Sequence, residues 1–372
     1  MKKKIIRIVV LVLVLALAVG GLVVYSKLPH SLNYKIDSIE PVGTNVKIVG
    51  EGEDYVTITK NTEGDFKVLM FTDIHLDGKN ATSKITVSNI VKNVQNEKPD
   101  LVIFGGDNVT SALNNKRCHQ LGEIFEKLGV YWAGILGNHE GDNNMSISRE
   151  KMVDIFSSYD HCLMRQGKKD VDGNGNYVLT ILNKDSTVRE SFFFLDSHDE
   201  ISEENMKKYN VEDTGKTIYD AVYESQVDWY KTTLATMKAE QEEKGNREFK
   251  SIVVTHIPLP QYEAAAEAQS FVYGGQLEGI CEQGYDTGLF DAIREGGSTQ
   301  AVFCGHDHLN NFGTMYKGIM LSYIEPSGYG SYTTKSKLGY EEKDWLQGYT
   351  KLLIKEDGKY IHELHRNSEA MK

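Results

Sequence analysis

The most constraining feature of this chain is a unit that occurs three times, with helical patterns between the copies: a short apolar segment followed directly by a polar cluster. The three units are Phe66–Phe71 with Asp73-Ile74-His75, Leu101–Phe104 with Gly105-Gly106-Asp107-Asn108, and Val130–Leu136 with Gly137-Asn138-His139-Glu140. Short apolar segments bounded by turn residues are typical of buried strands, and strands that alternate with helices are typical of an α/β layered fold. The sequence therefore predicts sheets whose strand ends carry polar clusters.

The intervening segments have a helical period. Val87, Ile90, Val91 and Val94 lie at i, i+3, i+4 and i+7, and residues 116–129 form a second helical pattern that ends at Gly129. Later segments favour strands around a long helical pattern at Glu224–Lys244; they are Tyr177–Leu182, Ser191–Leu195, Ile252–Thr255, Ala301–Cys304, Ile319–Tyr323 and Lys351–Ile354. No linker interrupts residues 65–365, so we predict one domain there. We interpret residues 29–64 as a stalk or an accessory β segment.

A basic head and a long apolar run begin the chain. Lys2, Lys3, Lys4 and Arg7 precede Ile8–Tyr25, a run without charged residues. Its length lies near the lower limit for a membrane span, and the flanking positive charge favours a cytoplasmic N-terminus. We predict that residues 1–28 form a transmembrane signal anchor that leaves the body of the chain outside the cell membrane. A cleaved signal peptide followed by secretion is the alternative.

The charge of the body limits its partners. The formal net charge is −12, and it becomes −16 when the four cationic residues of the head are set aside. Proteins that hold nucleic acids through their phosphates need a basic face, so a nucleic-acid partner is not expected. The charged fraction of 25% together with an aromatic fraction of 10% also argues against disorder.

Residues suited to chemistry lie at five predicted strand ends. They are Asp73 and His75, Asp107, Asn138 and His139, His256, and His306 and His308. Each cluster alone has a simpler explanation, such as a turn or a surface histidine. Together they supply imidazoles, carboxylates and one amide, which suffice for two neighbouring metal ions that share a carboxylate, and Zn, Mn and Fe suit these donors. Two ions ~3.5–4 Å apart can clamp the attacking and leaving oxygens of a phosphoryl displacement.

The same motifs carry a family resemblance. Asp73-x-His75, Gly106-Asp107, Gly137-Asn138-His139-Glu140, His256 and Gly305-His306-x-His308 resemble those of the calcineurin-like metallophosphoesterase superfamily, over roughly residues 65–330. The segments Phe193–Ser197 and His256–Pro260 are similar to the branch close to purple acid phosphatases. The resemblance implies a four-layer architecture of two stacked mixed β-sheets flanked by helices.

The resemblance also implies a role for each site residue. Asp73, His75 and His308 would hold the first metal, and Asn138, His256 and His306 would hold the second. Asp107 would bridge the two ions, since cations this close need a shared negative charge. His139 would lie over the site as a catalytic residue that stabilises the transition state or protonates the leaving oxygen. A hydroxide between the metals would attack phosphorus in line.

Two positions depart from the purple acid phosphatase pattern. Those enzymes have a tyrosine three residues after the bridging aspartate, where this chain has Thr110, and they lack the histidine that this chain has at His75. An iron–tyrosinate chromophore is therefore not expected. The resemblance leaves iron, manganese and zinc as candidates for the two metal ions.

The expected function is metal-dependent hydrolysis of phosphate esters, with a phosphomonoesterase acting on small substrates as the first prediction. A phosphodiesterase acting on nucleotides, glycerophosphodiesters or lipids is the alternative, because the same ligands serve both reactions. A non-catalytic surface binding protein is the alternative from another class. The intact ligand set and His139 argue against that last alternative.

Overall fold

The computed structural model describes residues 34–77, 80–110, 114–142, 146–245, 249–341 and 346–367. The membrane anchor predicted at residues 1–28 lies outside these ranges. Within these ranges, none of the helices combines the length and the apolar character that crossing a bilayer requires.

Strands and helices alternate through most of the described chain. The strands are β1 (Val46–Glu51), β2 (Tyr55–Lys60), β3 (Phe66–Phe71), β4 (Leu101–Gly105), β5 (Trp132–Ile135), β6 (Tyr177–Leu182), β7 (Val188–Phe194), β8 (Ser251–Val254), β9 (Phe271–Tyr273), β10 (Thr299–Cys304), β11 (Gly313–Tyr316), β12 (Ile319–Tyr323), β13 (Gly348–Ile354) and β14 (Tyr360–Arg366). The α-helices are α1 (Asn80–Glu97), α2 (Asn115–Leu128), α3 (Arg149–Ser157), α4 (Glu203–Lys208), α5 (Glu224–Glu243), α6 (Gln261–Ala266), α7 (Leu289–Gly296) and α8 (Thr334–Leu338).

These strands form two mixed sheets. The larger sheet has the order β1-β2-β6-β7-β8-β10-β12-β11-β9, and the smaller has the order β14-β13-β3-β4-β5. Both contain parallel and antiparallel neighbours: β8 and β10 are parallel whereas β11 and β12 are antiparallel, and β3 and β4 are parallel whereas β3 and β13 are antiparallel. The predicted α/β fold with two mixed sheets and helices is confirmed. The β1–β2 hairpin lies at one edge of the larger sheet.

The core follows from side-chain alternation along the strands. Phe192 and Phe194 of β7 belong to a buried cluster that also contains Phe71 and Phe104 of the smaller sheet. Phe193, between them in sequence, belongs to a second cluster with Tyr230 of α5. Successive side chains of a strand point to opposite faces, so one face of the larger sheet contacts the smaller sheet and the other contacts helices.

The carboxyl ends of strands from both sheets meet at one edge. The loops after β3 and β12 pair there: the Thr72 carbonyl accepts from Ser327 N at 3.0 Å, and Thr72 forms a parallel bridge with Pro326. His256, directly after β8, lies with its Nδ1 2.8 Å from the Gly105 carbonyl oxygen of β4. These contacts join the two sheets where the predicted polar clusters lie.

Candidate metal centre

All five polar clusters predicted from the sequence lie at this shared edge. They follow β3, β4, β5, β8 and β10, and the predicted ligands are almost completely buried. The backbone is left-handed at several of them, with φ of 53° at Asp73, 42° at His75, 51° at Asp107 and 79° at His306. Such conformations cost of order 1–3 kcal/mol each in a residue other than glycine and concentrate at functional sites. The fold therefore maintains local strain to turn these side chains inward.

The predicted ligands of the first metal converge on one point. Single donor atoms of Asp73, His75, Asp107 and His308 all lie within 4.8 Å of one another. His75 Nε2 lies 3.0 Å from His308 Nε2 and 3.4 Å from Asp107 Oδ2. His308 Nε2 lies 3.3 Å from Asp73 Oδ1. Two imidazoles and two carboxylates so placed form a donor set that suits Zn, Mn or Fe.

The predicted ligands of the second metal show a different feature. Asn138 Oδ1 and His306 Nδ1 are buried and lack a hydrogen-bond partner among the described residues. His256 Nε2 and Asp107 Oδ2, the predicted bridge, are also buried and face each other at 3.3 Å without a well-formed hydrogen bond. Buried polar atoms in folded proteins are normally hydrogen-bonded, because an unpaired one costs ≈ 1–3 kcal/mol. Two unpaired atoms and one imperfect His256–Asp107 contact, from four loops, therefore fit a cation that binds all four atoms.

Backbone carbonyls orient two of the histidines. His256 Nδ1 donates to the Gly105 carbonyl, and His308 Nδ1 donates to the Tyr332 carbonyl at 3.1 Å. With Nδ1 held in this way, Nε2 of each ring points to the carboxylates, 3.3 Å from Asp107 Oδ2 for His256 and 3.3 Å from Asp73 Oδ1 for His308. Metal-binding histidines are commonly oriented by such outer hydrogen bonds. In His306 it is Nδ1 that lacks a partner, so this ring would bind a metal through Nδ1, unlike His256 and His308.

The central carboxyl groups remain ionised in spite of their burial. Burial raises the pKa of Asp73, but the opposing effect of His308 and His256 is larger and lowers this pKa to about 2. Burial likewise raises the pKa of Asp107, and His256 outweighs it, so this pKa lies well below its usual value. Two ionised carboxylates therefore lie at the centre of the site, which favours cations there.

The histidines respond to the same two carboxylates. Burial lowers the pKa of His75 to about 4 and that of His306 to about 3, so both rings are neutral and have a lone pair for a metal. Burial also lowers the pKa of His256, but Asp107 opposes it and raises this pKa to about 10. The space between His256 and Asp107 thus favours a positive charge.

Two glycines allow the loops to approach one another. A Cβ atom at Gly106 would collide with the His256 ring, and one at Gly137 would collide with the Asp107 carboxylate and backbone. Gly106 also has a φ of 102°, which side chains rarely tolerate. The glycines before the bridging aspartate and before Asn138 are therefore needed for the convergence of the ligands.

His139 lies beside the ligand cluster and is half-exposed. Its backbone N–H donates to Asp107 Oδ1 at 2.9 Å, and its ring centroid lies 5.5 Å from that of His75. Its Nδ1 lies 2.5 Å from Asp142 Oδ2. Burial lowers the pKa of His139, but Asp142 and Asp107 raise it to about 9. A protonated imidazole at the rim is chemically able to donate to a leaving oxygen; the catalytic role of His139 stays a prediction.

The structure adds neighbours to which sequence reasoning gave no role. Glu140 is buried and accepts from Asn108 N at 2.6 Å and from Gly137 N at 2.8 Å, so it ties the loops after β4 and β5 together. Arg149 donates to the Gly137 carbonyl and to Asp196, both at 2.5 Å. Glu140 lies within a recognised motif and could have been found there. Arg149 had no such sequence signal, because its partners come from distant loops.

Known proteins resemble this chain in sequence. The family model of calcineurin-like phosphoesterases matches residues 66–310. A protein of Arabidopsis thaliana named probable inactive purple acid phosphatase 14 is 29% identical over an alignment that covers 73% of each chain. The phosphatase DCR2 of Saccharomyces cerevisiae is 27% identical, over 76% of this chain and 49% of its own length.

A solved structure resembles the fold. A dimetal phosphatase from Danio rerio aligns with a TM-score of 0.50 and 13% identity, covering 81% of this chain and 99% of that one. At this level of identity the similarity concerns the fold alone.

Proposed function

This chain belongs to the calcineurin-like phosphoesterase family, and on that premise we propose that it hydrolyses small phosphate esters with two bound metal ions. The family match and the purple acid phosphatase-like relatives confirm the resemblance predicted from the motifs. The family and the Asp/His cluster suggest a dinuclear centre. The ester class, the metals and the role of each residue belong to the proposal.

One observation carries the proposal. Four buried atoms from different loops, on Asp107, Asn138, His256 and His306, form no well-formed hydrogen bond among the described residues, and Asp107 also belongs to the cluster with Asp73, His75 and His308. In a core with only a structural role, so many buried polar groups without well-formed hydrogen bonds would be unusual, because buried polar groups are normally hydrogen-bonded. When bound, two metal ions supply Lewis-acid charge and a hydroxide nucleophile at neutral pH.

Individual side chains have separate roles in the proposed reaction. Asp73, His75 and His308 would bind the first ion, Asn138, His256 and His306 would bind the second, and Asp107 would bind both. Asn138 contributes a neutral oxygen, so it adds no negative charge beside a phosphate. His139, held by Asp142 and protonated through its raised pKa, would donate a proton to the leaving oxygen.

An assay of the full-length chain on matched esters tests this function. The protein would be stripped of metal, reloaded with Mn, Fe or Zn separately, and assayed on p-nitrophenyl phosphate and bis(p-nitrophenyl) phosphate. We expect hydrolysis only after metal loading, with the monoester preferred. Asp107→Asn should abolish it, whereas Asp228→Asn, at an exposed position of α5, should not. A preference for the diester would favour the phosphodiesterase alternative.

The relatives' names favour a second candidate, a non-catalytic binding protein. Three Arabidopsis relatives have names that begin with "probable inactive". Such a protein could keep the metals and lose turnover. A chain that binds metal fully but hydrolyses neither ester with any of the three metals would establish this candidate and refute the first.

We also propose the membrane anchor predicted from Ile8–Tyr25, which rests on the sequence alone. Protease added to intact cells should digest the body of an anchored, outward-facing protein and leave a short membrane-bound fragment. A body protected from protease in intact cells would contradict the predicted topology.

A further inference from the structure

A long connection between β7 and α5 passes beside the metal centre. We call residues 195–223 the excursion; it contains α4 and returns to begin α5 at Glu224. Near its start Ile201 N donates to the Ile218 carbonyl at 3.0 Å, and Asp220 N donates to the Asp199 carbonyl at 2.8 Å. The two arms of the excursion are therefore paired with each other.

The returning arm is anchored at Asp220, which is buried. Its carboxylate accepts from the Tyr285 hydroxyl at 2.5 Å, from the Tyr223 hydroxyl at 2.6 Å and from Asn205 Nδ2 at 3.2 Å. Hydrogen bonds to a charged acceptor are the stronger kind. This network fixes the excursion to the start of α5 and to the loop that contains Tyr285.

Tyr219, the residue before Asp220, contacts a predicted ligand of the second metal. The Tyr219 carbonyl accepts from Gly284 N at 2.9 Å, so its backbone is held on both sides. Its ring centroid lies 4.3 Å from that of His306, with the ring planes at 86°. An edge-to-face contact covers at most one face of the tyrosine ring. Tyr219 is only half-buried, so part of the residue remains accessible while its ring contacts His306.

Tyr332 contacts the other histidine of the pair in a different way. Its ring stacks on His308 at 4.3 Å with an interplanar angle of 9°, and Lys337 Nζ lies 5.4 Å from its ring centroid. Its hydroxyl donates to Glu278 at 3.1 Å. Tyr332 therefore supports His308 by stacking on it, whereas Tyr219 contacts His306 edge to face and is only half-buried.

We propose that Tyr219 is a specificity-determining residue that packs against the organic group of the ester and favours aryl or other planar groups over small polyols. The inference rests on the proposed function and deepens it. A ligand bound at the second metal would lie close to His306, and the Tyr219 ring contacts His306 directly. Aromatic rings pair with one another in stacked or edge-to-face arrangements, which a polyol cannot use.

Kinetics of the full-length, Mn-loaded protein test the proposal. For Tyr219→Ala we expect kcat/KM on p-nitrophenyl phosphate to fall about tenfold, mainly through KM, and kcat/KM on glycerol phosphate to fall by less than about twofold. Tyr219→Phe should recover most of the loss, because it restores the ring. Tyr316→Ala is the matched control: it removes a half-buried tyrosine at the end of β11 that contacts Phe290 and not the site histidines, so the substrate preference should not change.

A binding measurement makes the test independent of turnover. Titration calorimetry with phenylphosphonate and methylphosphonate, which are not hydrolysed, should show a preference for the phenyl compound that Tyr219→Ala removes. Equal losses for both compounds, no loss for either, or the same loss in Tyr316→Ala would overturn the role of Tyr219. Failure of the wild type to hydrolyse any ester would refute the proposed function instead, while the phosphonates still test the residue.

Discussion

Asn138 and His139 are adjacent in sequence but have different proposed roles, the first as a metal ligand and the second as a proton donor. Asn138 Oδ1 is one of the unpaired buried atoms, whereas His139 is half-exposed and hydrogen-bonded to Asp142. Asn138→Ala should therefore weaken metal binding by more than about tenfold. His139→Ala should keep the metal content and lower kcat by about 10²–10⁴-fold. Metal analysis beside steady-state kinetics separates the two effects, and equal metal loss in both variants would show that the role of His139 is misassigned.

Asp142 supports a separate prediction through its contact with His139. Asp142→Asn keeps the shape of the side chain but removes the charge that helps to raise the pKa of His139. Proton donation matters most for poor leaving groups. We expect kcat on an alkyl phosphate to fall about tenfold and kcat on p-nitrophenyl phosphate to fall less than about threefold. The same loss for both leaving groups would mean that Asp142 is only structural.

Tyr219 shows where reasoning from residues alone is limited. The ligands could be found from the sequence because each follows an apolar strand in a recognisable spacing. Tyr219 follows no strand, and its position beside His306 depends on the Asp220 network that folds the excursion back. Nothing local in the sequence encodes such a contact.

At the scale of elements, the strand ends depend on close approach between loops. A side chain at Gly137 would collide with Asp107, whereas one at Gly275 would meet nothing within 4 Å. Gly137→Ala should lower the free energy of unfolding of the metal-free protein by about 1–3 kcal/mol and weaken metal binding. Gly275→Ala, the matched control, should change stability by less than about 0.5 kcal/mol. Denaturant titrations measure both, and equal stabilities would contradict the crowding at Gly137.

The elements themselves were predictable where the local signal is strong. The strands Phe66–Phe71, Tyr177–Leu182 and Ile319–Tyr323 have the predicted bounds, and the first two are followed directly by polar residues. The helix predicted at residues 116–129 is Asn115–Leu128, and Gly129 ends it with a φ of 67°. The short edge strand β9 was not predicted. It is held by distant partners, such as the stacking of Tyr273 on His362 at 3.9 Å, which no local pattern reveals.

At the scale of the whole molecule, a buried carboxyl group links stability to pH. Glu190 of β7 is fully buried and accepts from Gln300, which also donates to the Gly358 carbonyl between β13 and β14. Burial raises the pKa of Glu190 from 4.5 to about 8. Its protonated form favours the folded state, so this contribution is complete below pH 4.5 and is lost as the pH rises to about 8.

Glu190→Gln should remove that dependence, because the amide keeps the shape and cannot ionise. We expect the variant to match the wild type near pH 5 and to exceed its free energy of unfolding by at least about 1 kcal/mol at pH 8. Urea titrations of both proteins at the two pH values measure the difference. A constant difference between the two pH values would show that Glu190 does not titrate in this range.

The proposed function depends on two metal ions at the shared edge of the sheets, inside a body with a formal charge of −16 once the four cationic residues of the head are set aside. The most direct test is to count metal ions per full-length chain after loading with Mn and to assay the same sample on p-nitrophenyl phosphate. We predict two ions per wild-type chain with hydrolysis, and loss of both in Asp107→Asn, since that residue would bridge the pair. A chain that holds fewer than one ion, or an Asp107→Asn variant that still binds two and turns over, would contradict the account.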